Sequence, residues 1–356
     1  MRLAFIGAAV GAALAIPGLA GAGDPWLLLK PRPETPLVLD YGARREALVS
    51  LDVANTTDRT VRVAKLRITY FEGDRAVGTL DPATELFIDA GLLSDPRVPG
   101  GGHDSWAGLC LAPPTAGTDR VRLDLDLRQR RGFRSDKGAQ ALELTLRPPA
   151  DPPVLSPPVQ GKWTITQGHA CGTAHRRGPL GQEFAWDLAA VDPGQGPTFG
   201  RPVLAPADGR VVSIVDGIVD NEEARTYPRR SLVDALREPL WYFGNHVVLD
   251  LGGGVFVLLA HLKKGSIAVA PGAAVRKGSR IGLVGNSGNA ISAHLHVQVM
   301  NRADPTAPGV TGVPALLRDY VEITTRGERH DRETVVRRVE TGDPPQGAVI
   351  VVPESP

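Results

Sequence analysis

Apolar and polar residues alternate with a period of two along much of the chain from about Pro36 to Arg147. In "RVRLDLDLR", Val121, Leu123, Leu125 and Leu127 fall on one face, and Arg122, Asp124 and Asp126 on the other. "ALVSLDVAN" repeats the pattern with Ala47, Val49, Leu51 and Val53, "KLRITYF" with Leu66, Ile68 and Tyr70, and "LELTL" with Leu142, Leu144 and Leu146. Successive side chains of a strand point to opposite faces, so each stretch predicts a strand with one buried and one wet face. Asn, Asp, Gly and Pro turns separate the stretches, and together they predict an antiparallel, immunoglobulin-like β-sandwich over residues 23–147. No cluster of catalytic residue types occurs there. His103, in the Gly-rich "PGGGHDSW", reads as a surface residue.

The prolines of "RPPADPPVLSPPVQG" fit neither a helix nor a sheet interior, so residues 148–160 read as a semi-rigid linker and a domain boundary. Short apolar strands then return in "GRVVSIV", "NHVVLDL", "VFVLLAHL" and "RIGLVG", bounded by Gly and Asn, over a second domain spanning 161–321. A long insertion, Gly217 to Gly244, contains a predicted helix in "SLVDALREPLW", with Ser231 and Asp234 placed as a near capping box. Such insertions often form lids or groove walls. A C-terminal extension, 322–356, has the texture of one or two further strands. The fold class is therefore all-β with little helix.

Composition refines this picture at few points. Of 356 residues, 42% are hydrophobic and 22% charged, and the net charge is +1, so nothing electrostatic in the bulk numbers argues for a nucleic-acid partner. The start, "MRLAFIGAAVGAALAIPGLAGAG", has a basic n-region, a short apolar run and Ala20-Gly21-Ala22, the layout of a secretory signal over residues 1–22. Gly and Pro17 interrupt the run, which argues against a retained membrane anchor, and an envelope or extracellular location is expected. Export permits a disulfide between the two cysteines, Cys110 and Cys171, but nothing in the sequence shows them close, and two separate thiols are equally consistent.

The chemistry concentrates in the second domain. "SAHLHVQVM" puts His294 and His296 at i and i+2, about 6.5–7 Å apart on the strand face they share with Gln298. A lone histidine on a strand is an ordinary core residue, whereas two on one face suggest a metal site or an acid–base pair. His169, His175, Asp187, His246 and His261 lie in the same domain, while the first domain holds only His103. His246, at a strand start, reads as structural. The Gly-rich "GLVGNSGN" lacks the Lys and the following helix of a phosphate loop, and reads as a tight turn in which Gly285, Asn286 and Gly288 supply permissive backbone.

"HLKKGSIAVAPGAAVRKGSRIGLVGNSGNAISAHLHVQV" resembles the C-terminal half of a lysostaphin/LytM-type zinc metallopeptidase domain. "FAWDLA", "PVLAPADGRVVSI" and "GNHVVLDLG" resemble that family's earlier motifs in the right order, and the resemblance runs from about Gln167 to Met300. It implies a β-sheet, barrel-like peptidase domain binding Zn2+, with Asp187 and His296 as metal ligands and His261 and His294 as catalytic residues. The family's usual first motif places a histidine where this chain has Glu183. A branch of the family instead draws it from further upstream, which assigns the slot to His175, with His169, Glu183 or loss of the metal as alternatives. The resemblance implies an exported peptidoglycan hydrolase acting on stem or cross-link peptides. The rival readings are a zinc-free regulator of cell-wall hydrolases and a non-catalytic carbohydrate- or protein-binding β module.

Overall fold

A computed structural model of the chain describes residues 24–32, 36, 38–40, 45–81, 97–132, 134–147, 151–169, 175, 180–191, 197–221, 238–326 and 333–354. The expected signal segment, Cys171 and the start of the helix expected from Ser231 lie outside the described residues. Cys110 is disulfide-bonded. Among the described residues no helix is long and apolar enough to cross a membrane.

The chain is all-β. Its first part forms β1 (Leu27–Arg32), β2 (Val38–Asp40), β3 (Arg45–Asn55), β4 (Val61–Glu72), β5 (Arg75–Leu80), β6 (Arg97–Val98), β7 (His103–Leu111), β8 (Arg120–Arg131) and β9 (Arg134–Thr145). One sheet runs β1-β3-β2 with β7 also on β3, and the other runs β5-β4-β8-β9 with β6 on β4. All these pairings are antiparallel. The alternation read from the sequence is the alternation of burial. Val49, Leu51 and Val53 of one sheet and Ile68, Tyr70, Val121 and Leu123 of the other close a single core. His103 is exposed as expected, but it opens strand β7 instead of sitting in a loop.

The second part adds β10 (Val154–Leu155), β11 (Gly161–Gln167), β12 (Trp186–Ala190), β13 (Pro202–Leu204), β14 (Gly209–Val215), the short helix α1 (Pro239–Tyr242), β15 (Asn245–Asp250), β16 (Phe256–Leu262), β17 (Ala274–Val275), β18 (Arg280–Leu283), β19 (Leu295–Met300), β20 (Leu316–Arg326), β21 (Glu333–Gly342) and β22 (Val349–Val352). The main sheet runs β10-β20-β22-β11-β12-β19-β16-β15-β14-β17, with β21 on β20, while β13 pairs β18. It is an open path of strands and not a closed barrel.

Two expectations about segment boundaries need correction. The proline-rich stretch is not a free linker along its whole length. Val154 and Leu155 pair with β20, Leu204 donates to the Pro158 carbonyl at 2.9 Å, and Leu155 and Val159 are buried in the second core. The boundary at 321 falls inside β20, and the segment beyond it is part of the same sheet, since β22 pairs with both β20 and β11. Apolar Val and Leu drive both results, because they have a core to enter. Glu322 is buried in this added layer and takes two hydrogen bonds from Arg337, at 2.8 and 3.0 Å.

Both faces of the central strands are covered. Val247, Leu249, Val257, Leu259, Leu295 and Val297 enter the main core, while Val248, Leu258, Ala260 and Met300 pack with Phe243 on the opposite face. By strand parity, Asp187, His296 and Gln298 belong to that opposite face.

The turn before β19 uses its glycines in two ways. Gly288 has φ +73°, and a Cβ there would meet the Gly244 nitrogen at 2.4 Å and the Trp241 oxygen at 2.5 Å. Gly285 has ordinary φ but no room, since a Cβ would stand 2.3 Å from the Lys263 nitrogen. Gly288→Ala is therefore expected to lower stability by roughly 2–4 kcal/mol, combining left-handed strain with backbone overlap. Urea unfolding checks this, and an unchanged midpoint would contradict the reading of the turn.

Candidate active site

Strand register begins the site. Asp187 on β12 lies opposite His296 on β19, and both point to the same face. The Asp187 Oδ1 is 3.0 Å from His296 Nδ1 and 3.6 Å from His294 Nε2, and its Oδ2 is 3.2 Å from His175 Nε2. His175, Asp187 and His296 are all buried, and one ligand atom from each lies within 4.8 Å of the others. His294 immediately precedes β19 and is partly open to solvent. His261 stands beside it, with ring centroids 4.7 Å apart. The structure thus gathers the four singled-out histidines around the Asp187 carboxylate.

The residues weighed as alternatives go elsewhere. Glu183 Oε2 accepts a hydrogen bond from the Gly312 nitrogen at 2.9 Å. His169 stacks on Trp186 with ring centroids 4.2 Å apart, and its Nδ1 is 3.2 Å from Asp343 Oδ2. Trp186 Nε1 donates to the other oxygen of Asp343 at 2.9 Å. His169 therefore belongs to a packing cluster on the far side of β12. His246 is buried, with Nδ1 2.8 Å from the Gly244 carbonyl.

Hydrogen bonds fix which nitrogen of each histidine faces Asp187. The Leu180 carbonyl accepts from Gln298 Nε2 at 2.8 Å, so the amide oxygen of Gln298 must face His296. That oxygen is 3.2 Å from His296 Nε2, so in the neutral imidazole the proton sits there and Nδ1 is bare, while the protonated ring also donates from Nδ1 to Asp187. The Ala185 carbonyl, 3.3 Å from His175 Nδ1, in the same way leaves Nε2 bare when His175 is neutral, and protonated His175 donates from Nε2 to Asp187. Leu180 reaches its position at φ +70°, a costly backbone state for a non-glycine residue. With neutral imidazoles, two lone pairs and a carboxylate converge with no positive group between them. That donor set, two borderline nitrogens and one oxygen, fits zinc. Gln298 is visible in the sequence only as a residue sharing the histidine face, because its role depends on a carbonyl far away along the chain.

His261 is held separately. It has φ +60°, its nitrogen donates to the Phe243 carbonyl at 3.0 Å, and its Nδ1 is 2.9 Å from the Ser287 carbonyl. This orients Nε2 as the ring nitrogen not engaged by that carbonyl. A register irregularity between Asn245 and Val247, opposite, accompanies the strained position.

Charge states follow from burial and neighbours. Burial raises the Asp187 carboxyl, but His175, then His294, together with hydrogen bonds from His175 and His296, outweigh it and hold it well below the usual carboxylate range. Burial lowers His175, yet Asp187 and the Ala185 carbonyl more than offset this and raise it. Burial, reinforced by His294 and His296, pushes His261 well down, and burial also lowers His296 and His246.

The pattern of Peptidase family M23 matches residues 195–308. Among curated proteins, the chain is 29% identical over 157 residues to the peptidoglycan DD-endopeptidase ShyA of Vibrio cholerae, a match covering 44% of this chain and 29% of that protein's length. Among solved structures, it is similar to the catalytic domain of lysostaphin from Staphylococcus simulans (19% identity, 44% of this chain and 88% of that chain, TM-score 0.27). It is also similar to the catalytic domain of the prophage-encoded M23 protein EnpA from Enterococcus faecalis (19% identity, 43% and 88%, TM-score 0.28).

The pKa directions predict how stability without added metal responds to pH. For His246, His261 and His296 the folded value lies below the unfolded value of about 6.5, so the unfolded chain binds more protons in mild acid. Their contribution is lost as pH falls below that value. His175 opposes this, since its contribution is present below about 6.5 and lost as pH rises through its folded value. His261 is pushed down the furthest and His246 and His296 act in the same direction, so stability should fall between about pH 7.5 and 5.5. His246→Gln should make the fall shallower. A flat profile of urea midpoint against pH would contradict these assignments.

Proposed function

We propose that the chain, whose residues 195–308 match Peptidase family M23, is an exported zinc metalloendopeptidase of the lysostaphin/LytM type that hydrolyses peptide cross-links of bacterial peptidoglycan. The observation that carries this reading is the convergence of His175 Nε2, His296 Nδ1 and the Asp187 carboxylate, with the His261–His294 pair alongside. His175, Asp187 and His296 would hold the zinc. When bound, zinc supplies a Lewis acid that polarises the scissile carbonyl and acidifies attacking water.

The remaining work falls to this chain's own side chains. His261 is buried and held neutral, so its free nitrogen serves as a proton acceptor near neutral pH. His294 is the more open of the pair, its Nδ1 lies 2.8 Å from the Ser292 carbonyl, and its Nε2 points toward Asp187. It is placed to hold or pass a proton at the solvent side, toward developing oxyanion charge or the leaving amine. Gln298 and the Ala185 carbonyl position the two ligand imidazoles. The Glu183 substitution that favours a zinc-free regulator has a structural use in its bond to Gly312, which leaves the ligand slot to His175.

Three measurements follow. Purified protein should release peptide fragments from peptidoglycan in a chelator-sensitive way. His294→Ala should retain zinc and lose turnover by about 10²-fold or more, since it removes a proton-transfer group and no ligand; full activity in this variant would overturn its role. Gln298→Ala should weaken zinc about 10–100-fold in competition with a chromophoric chelator, with Gln298→Glu restoring most of it. Unchanged affinity would show that the tautomer of His296 is fixed by something else.

A further inference from the structure

The outer face of the sheet β5-β4-β8-β9 is chemically divided. Toward one end its charges neutralise one another. Lys65 and Arg67 reach Asp81 at 3.4 and 2.8 Å, and Arg122 reaches Asp124 at 2.8 Å and Glu143 at 3.6 Å. Toward the β8–β9 turn the pattern inverts. The register places Arg97 of β6 opposite Arg62 of β4, Arg62 opposite Arg128 of β8, and Arg128 opposite Lys137 of β9. This is an unbroken row of cations across adjacent strands, about 14 Å long at the usual strand spacing of about 4.8 Å. Arg130, two residues along β8 on the same face, extends it. Arg62, Arg97, Arg130 and Lys137 are exposed, and Arg128 is half-buried.

Like charges directly opposite one another on paired strands destabilise a sheet. Here the cost is incurred three times in succession, and Arg62, Arg128 and Lys137 have no carboxylate within 4.0 Å among the described residues. The buried side of the same strands, with Val61, Val63 and Leu127, needs no such row for its packing. The Arg62–Arg128–Lys137 run, a linear cation array on an exposed flat face without a carboxylate partner among the described residues, complements an extended polyanion and raises its local concentration.

We propose that this row is a docking surface for the carboxylate-bearing peptides of the cell wall, holding the chain on its insoluble substrate while the second core carries the chemistry. The identity of the polyanion rests on the proposed function; the cation row itself does not. It gives the first sheet pair a role that its lack of catalytic residue types left open.

The test is co-sedimentation of the full chain with purified peptidoglycan sacculi stripped of phosphate polymers, beside sacculi whose carboxylates have been amidated. The triple variant Arg62→Gln, Arg128→Gln, Lys137→Gln should bind at least about tenfold more weakly at low ionic strength, and wild-type binding should weaken in about 0.5 M salt. Amidated sacculi should reproduce the loss with wild-type protein. The control pair Lys65→Gln, Arg122→Gln, at the self-neutralised end, should bind as wild type does, and all variants should keep the wild-type thermal midpoint to within a few degrees. Equal binding by the triple variant, undiminished binding to amidated sacculi, or retention only by phosphate-bearing polymers would overturn the proposal. Loss of cleavage with row-dependent binding intact would count against the enzymatic reading and leave this one standing.

Discussion

Asp187 is the constraint around which the second half of the chain is arranged. A buried carboxylate is costly unless positive charge or donors compensate it. Here two imidazoles each turn one nitrogen toward it, because each has its other nitrogen committed to an acceptor: Gln298 for His296 and the Ala185 carbonyl for His175. Without a cation the cluster is balanced only by protons, which is why Asp187 is depressed and His175 raised. With a divalent cation the same geometry is satisfied with neutral imidazoles. The positions of both histidines, the strained Leu180 and the amide of Gln298 make sense together as support for that exchange.

The scaffold supplies this arrangement by strand register and tight turns. Pairing of β12 with β19 sets Asp187 across from His296, and apolar residues of alternate parity anchor both strands in the main core. The Gly244 and Gly288 backbones approach too closely for a side chain, which brings Ser287 and its carbonyl beside His261. On the other side of β12, Trp186 is tied to Asp343 from the C-terminal layer. That layer is thus a brace for the strand that carries Asp187, in addition to lengthening the sheet.

Much of this was legible in the sequence, for identifiable reasons. Period-two patterning gave the first core residue by residue, because a sandwich strand has one dry face, as Val121, Leu123, Leu125 and Leu127 show. The spacing of His294 and His296 announced a shared face. His175 was accessible only through resemblance to a family branch, since its sequence separation from Asp187 matches no local period. What escaped was long-range. The burial of Val159, the placing of β22 beside β11, and the bond from Gln298 to Leu180 depend on partners with no local signature. The cation row escaped for the same reason: Arg97, Arg62, Arg128 and Lys137 are scattered in sequence and become neighbours only once register is known.

The most direct test of the account is calorimetric titration of zinc into the metal-stripped full chain, with wild type beside His175→Ala and Glu183→Gln. The geometry predicts one tight site per chain, lost or greatly weakened in His175→Ala and intact in Glu183→Gln. A site that survives His175→Ala, or one that disappears with Glu183→Gln, would contradict the assignment of the converging nitrogens and with it the reading of Asp187 as the centre of the molecule.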